Sequence, residues 1–171
     1  MKDVLLIIDV QRALLDELPA ARQSELLGTL VPLLERARST GIPVVYVRHD
    51  GSPGELIPRT PEWEIASEIA PRAGEPIVEK RSSDAFAQTN LTEVLAALDA
   101  DHLIAAGMQT DVCVNATVAA ATERGYRVTL VADGHATSAS NGYSEQQIRE
   151  AMHEKTRARG VHITSAADLF S

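Results

Sequence analysis

Three residues of this chain have types and positions that could do covalent chemistry: Cys113, Asp9 and Lys80. Cys113 is the single cysteine of 171 residues, in the stretch Gly107-Met-Gln-Thr-Asp-Val-Cys-Val114. The helical pattern over 112–124 places it at a helix start. There the helix dipole and a nearby lysine lower a thiol's pKa, and unpaired backbone N–H groups can stabilise an oxyanion. Such a thiol is a nucleophile. The competing reading is a buried structural thiol, a common fate of a lone cysteine, and position alone does not choose between them. Asp9 directly follows the apolar run Val-Leu-Leu-Ile-Ile, where solvent thins out and a carboxyl pKa can rise. Taken alone, its position favours a helix cap or a solvated acid. Lys80 follows another short apolar run, and alone it is surface charge; beside Asp9 it would be a fixed positive charge.

The elements that must position these residues alternate short apolar runs with amphipathic stretches. Strands are predicted over 4–8, 43–47, 76–78, 102–106, 127–131 and 161–164. Helices are predicted over 25–39, 90–98, 112–124 and 144–157. Pro32 should kink the first helix or split off its first turn. Asn90 with Glu93, and Ser144 with Gln147, have capping-box spacing. Continuous apolar strands alternating with helices argue a parallel sheet covered on both faces. The predicted fold is a three-layer α/β/α domain with a six-stranded parallel sheet, doubly wound and Rossmann-like, over residues 1–171. Ligands in such sheets bind at the strand carboxyl ends, near the point where strand order reverses. Residues 50–75 fit no element and hold four of the eight prolines and the single tryptophan. A long irregular loop in a compact domain often serves as a lid; the bland reading is a surface excursion.

Composition excludes several function classes. The formal charge of −8 argues against nucleic acid and anionic membranes as partners. One cysteine allows no internal disulfide and no cysteine zinc site, which points to a cytoplasmic protein. The longest stretches without Asp, Glu, Lys or Arg run eleven residues, at 112–122 and 134–144, against about 20 for a membrane span. The opening residues do not have the pattern of a targeting segment. No Gly-x-Gly-x-x-Gly follows the first strand, and no phosphate-loop motif occurs.

The sequence resembles the isochorismatase-like cysteine hydrolases, a superfamily that also contains nicotinamidases and related amidases. The resemblance spans nearly the whole chain. It rests on Asp9 with Gln11, on Lys80 followed by Asp84-Ala85-Phe86 and Thr89-x-Leu91, and on Gly107–Thr117 with Gly125-Tyr-Arg-Val and Val131-Ala-Asp-Gly-His135. It implies a catalytic triad of Asp9, Lys80 and Cys113. It further implies a cis peptide between Met108 and Gln109, and an oxyanion hole formed by the backbone amides of Gln109 and Cys113. The implied reaction is hydrolysis of a C–N amide or lactam bond of a small molecule through a thioester. Isochorismatases proper lack the nucleophilic cysteine. Nicotinamidases hold a metal on an Asp-x-His motif with further histidines; here Arg48-His49-Asp50-Gly51 is followed by no histidine until His102, so no metal or other cofactor is expected. The pattern is more similar to the nicotinamidase-related amidases, a group that includes streptothricin-type lactam hydrolases.

Gln11, Trp63 and Phe86 are candidate pocket residues, with ordinary packing as the alternative. His49 reads as a satisfied histidine at a strand end, with substrate contact as the alternative. His135 borders either the site or an interface, and His102, His153 and His162 show no partner pattern. The resemblance implies a small-molecule amide substrate and a homodimer or homotetramer. The competing functions are a metal-containing nicotinamidase and a non-catalytic oligomeric member of the family.

Overall fold

A computed structural model describes residues 2–51 and 56–170. Six strands form one sheet: β1 (Asp3–Ile8), β2 (Val44–His49), β3 (Ile77–Lys80), β4 (His102–Met108), β5 (Arg127–Ala136) and β6 (His162–Thr164). Their order is β3-β2-β1-β4-β5-β6, and every neighbouring pair is parallel. The helices are α1 (Arg12–Asp16), α2 (Ala20–Ser39), α3 (Leu91–Ala97), α4 (Asn115–Glu123) and α5 (Glu145–Ala158).

The three layers follow from β1 being apolar at every position from Val4 to Ile8. Leu5 and Ile7 enter a core with Leu26, Leu30, Leu33 and Leu34 of α2. Val4, Leu6 and Ile8 enter the opposite core with Leu91 and Leu95 of α3 and Val118 and Ala121 of α4. This is the predicted doubly wound sheet. The chain steps outward from β1 to β3, then returns to lay β4 beside β1. The crevice at that reversal is where such sheets bind ligands.

Several boundaries differ from the periodicity. The first long helix begins at Ala20, behind Pro19, and Pro32 lies inside it without ending it. Pro32 and Gly28 are both exposed, so the carbonyl that the proline cannot bond faces solvent while the buried leucines hold the axis. The five-residue α1 is too short to have shown a period. The stretch at 112–124 opens with a π-type turn, Thr110–Val114, before α4. Ser144 and Gln147 form their capping box. Asn90 makes no side-chain cap; Thr89 Oγ1 instead accepts from Leu91 N at 3.2 Å.

Two devices fix the turn that carries Cys113. Gly107 has φ +132°, and a Cβ there would stand 2.0 Å from the Ile8 carbonyl oxygen, so only glycine lets β4 approach β1 at this point. Beneath the turn lies His135, fully buried. Its Nδ1 is 2.8 Å from Thr110 Oγ1, and its Nε2 is 2.9 Å from His153 Nε2 on α5. Burial, reinforced by His153, Arg149 and Arg22, pushes the His135 pKa down to about 3.

Gly107→Ala should therefore cost about 3 kcal/mol or more in urea unfolding, because backbone rather than a flexible side chain must move. A histidine held neutral in the fold but free to protonate when unfolded stabilises the protein above its ordinary pKa of 6.5. That stability is lost as pH falls toward the folded value, at about 1.4 kcal/mol per pH unit. Urea midpoints should drop between about pH 6 and about pH 4, and the drop should be shallower in His135→Asn.

Candidate active site

Four neighbouring strand ends meet in one place. In sheet order they bring Lys80 from the end of β3, His49 from the end of β2, Asp9 just past β1, and Cys113 from the turn after β4. The β2–β3 register sets His49 opposite Lys80. In β3, Val78 and Lys80 point inward and Ile77 and Glu79 outward, so the lysine enters the sheet edge rather than solvent. Asp9 has φ +49°, a left-handed conformation that aspartate tolerates better than most residues.

The Lys80 ammonium is the hub. Its Nζ is 2.8 Å from Asp9 Oδ2, 2.8 Å from His49 Nδ1, 2.9 Å from the Ser82 carbonyl and 3.2 Å from Cys113 Sγ. The side chains of Asp9 and Lys80 have no solvent exposure. An ammonium only donates, so His49 Nδ1 accepts and the ring proton is assigned to Nε2. The Cys113 thiol is also within hydrogen-bonding reach of the Asp9 carboxylate.

The electrostatics differ from the helix-start expectation for the thiol. Burial, then the charge of Asp9, pushes the Cys113 pKa up to about 12, and Lys80 only partly opposes them. Cys113 is 8 % exposed and lies within the π-type turn, so desolvation outweighs the dipole. Burial also raises Asp9 above the usual carboxylate range, against the pull of Lys80. One ammonium balances one anion, so acid and thiol compete for a single negative charge.

Asp9, His49 and Cys113 each offer a ligand atom within 4.8 Å of the others. These residues do not fit a metal ion, because the Lys80 ammonium is already bonded to all three, where a cation would have to sit.

The peptide between Met108 and Gln109 is cis. In the turn that follows, the Gln109 carbonyl accepts from Val112 N at 3.2 Å and from Val114 N at 3.1 Å. A cavity of about 600 Å³ opens over Asp9 and Cys113, walled by Ala13, Leu14, Leu56 and Val112 and edged by Glu17, Glu62 and Gln109.

The structure brings Asp9, Lys80 and Cys113 together, and Gln109 edges the same cavity. His49, which reads as a satisfied strand-end histidine, faces the cavity and bonds Lys80, a contact the sequence reading did not foresee. The signal was there: β2 lies between β1 and β3, so a residue ending it must lie between Asp9 and Lys80. The three candidate pocket residues are not among the described residues that wall the cavity. The Gln11 amide clamps β2, donating to the His49 carbonyl at 3.0 Å and the Trp63 carbonyl at 2.8 Å while accepting from His49 N at 2.8 Å. The Trp63 ring packs under Arg48 at 3.4 Å and donates to Asp50 Oδ1 at 2.9 Å. Phe86 stacks on Tyr126 in the α3–α4 core. Residues 60–75 are tied down, with Ala13 N donating to the Glu62 carbonyl and Arg38 gripping Glu75 through two bonds of 2.7 and 2.8 Å. Pro53 and Gly54 of the suspected lid lie outside the described residues.

Comparison with known proteins identifies the family. A family model for the isochorismatase domain matches residues 3–168. The chain is 38 % identical over 135 residues to a streptothricin hydrolase of Streptomyces noursei, covering 78 % of this chain and 49 % of that protein. It is 34 % identical over 122 residues to an N-carbamoylsarcosine amidase of Arthrobacter, covering 58 % and 46 %. The chain thus spans about half the length of these relatives. A crystal structure of an isochorismatase from Pseudomonas putida superposes with a TM-score of 0.87 at 31 % identity, over 98 % of this chain and 90 % of that one. A thiol, an acid and a lysine at the carboxyl ends of a doubly wound sheet, with a domain match across almost the full length, place this chain in the isochorismatase family.

Proposed function

We propose that this protein hydrolyses a C–N amide or lactam bond of a small molecule, with Cys113 as nucleophile, Asp9 as general base and acid, and Lys80 as their shared counter-ion. One observation carries this reading. A single buried ammonium is bonded to both the carboxylate, at 2.8 Å, and the thiol sulfur, at 3.2 Å.

The steps balance around that ammonium. Asp9 takes the Cys113 proton as sulfur attacks the carbonyl carbon, and the negative charge passes from Asp9 through sulfur to the carbonyl oxygen. The oxygen that becomes anionic rests on the backbone N–H groups of Gln109 and Cys113. The C–N bond breaks, and Asp9 returns its proton to the departing nitrogen. Asp9 then deprotonates a water that attacks the thioester, and the acid leaves with Cys113 restored as a thiol. Amide and water become acid and amine. A resting thiol suits this route, because the proton moves only when a carbonyl is present to receive the sulfur. The names of the relatives, streptothricin hydrolase and N-carbamoylsarcosine amidase, support a non-peptide C–N bond as the target.

Release of ammonia or of a new amine over a panel of small amides and lactams tests the reading. Turnover should disappear in Cys113→Ala while urea stability stays within about 1 kcal/mol, since the ion pair is untouched. Asp9→Asn should lower turnover by about 100-fold or more, and should also cost roughly 3–5 kcal/mol by leaving the ammonium buried without its anion. Unchanged turnover in either variant would remove the assignment.

A further inference from the structure

We propose that the active-site cavity selects ligands carrying a positive charge beyond the scissile bond, such as an ammonium or amidinium group, and disfavours those carrying a carboxylate. The inference rests on the hydrolase reading for which bond is cut, and on the cavity walls for what else the substrate carries.

The charges around the cavity are uneven. Lys80 neutralises Asp9 at the floor. Two further carboxylates, Glu17 and Glu62, stand at the mouth. Glu17 closes the C-terminal end of α1 and meets the uncharged Gln109 amide at 3.2 Å. Glu62 is held beside the same helix by its backbone, through the bond from Ala13 N at 2.9 Å. Neither carboxylate has an ion-pair partner among the described residues, and no arginine or lysine is among the described residues that wall the cavity. The two carboxylates edge the same cavity that opens over Cys113 and Asp9.

The walls between floor and mouth are the apolar side chains of Ala13, Leu14, Leu56 and Val112. A ligand that fits has a reacting carbonyl at Cys113, an apolar middle and a cationic end between Glu17 and Glu62. A carboxylate at that end would meet two like charges, with no cation among the described cavity walls to offset them.

The single cysteine gives a readout that does not depend on amide turnover. Methanethiosulfonate reagents bearing a trimethylammonium, an uncharged methyl or a sulfonate group would be reacted with Cys113. Their rates would be normalised to those with 2-mercaptoethanol. The normalised cation-to-anion ratio should be about tenfold or more at low salt and should shrink as salt screens the carboxylates. It should fall several-fold in the double variant Glu17→Gln, Glu62→Gln. A ratio near one, or a high ratio that the double variant leaves unchanged, overturns the inference. A second arm compares kcat/KM for 6-aminohexanamide, hexanamide and adipamic acid, expected to decrease in that order. The reverse order would also overturn the inference. Failure to cleave any amide would strike at the hydrolase reading, while the labelling ratio still decides the charge preference.

Discussion

Taking the Lys80 ammonium out of water costs several kcal/mol, and that cost is met only if well-placed partners surround it. Four groups do so: a carboxylate, a ring nitrogen, a backbone carbonyl and a sulfur. They come from four separate parts of the chain, namely the residue after β1, the end of β2, the segment after β3 and the turn after β4. No local sequence preference could gather them. The parallel register does, because it ends these strands side by side. Gly107 then lets β4 press close enough to β1 for the turn to hang over Asp9.

The same constraint governs the thiol. A helix start near a lysine is usually read as an acidifying place for cysteine. Here burial and the Asp9 charge dominate, and the pKa moves up instead. Asp9 is desolvated in the same way and rises too. Two groups that each resist a negative charge, with one cation between them, form a site in which a proton passes at little electrostatic cost. His49, with Nδ1 2.8 Å from the ammonium, helps fix the direction in which Lys80 points.

Much of this could be read from the residues. The all-apolar run at Val4–Ile8 demanded burial on both faces, and the strand–helix alternation then fixed the layers. Asp9, Lys80 and Cys113 stand at strand ends, so a doubly wound sheet had to bring them to one edge. What stayed hidden depended on packing between distant segments. Gln11 and Trp63 had the chemistry of pocket residues, yet backbone groups took up the Gln11 amide, and Asp50 and Arg48 took up the Trp63 ring nitrogen and ring face. Phe86 found a closer partner in Tyr126. The helix predicted over 112–124 opens with a π-type turn because it must meet both the end of β4 and the His135–His153 pair, neither of which is local in sequence. Pro32 was tolerated because its side of α2 faces solvent.

On the proposed mechanism, the resting site keeps its proton on sulfur and releases it to Asp9 only during attack. The chain has one cysteine, so its S–H stretching band in a Raman spectrum reports this group alone. The band should be present in the substrate-free protein at neutral pH and should persist well above the pH at which it vanishes for free cysteine, about 8.5. Its absence at neutral pH would mean a thiolate already paired with Lys80, and would contradict the account.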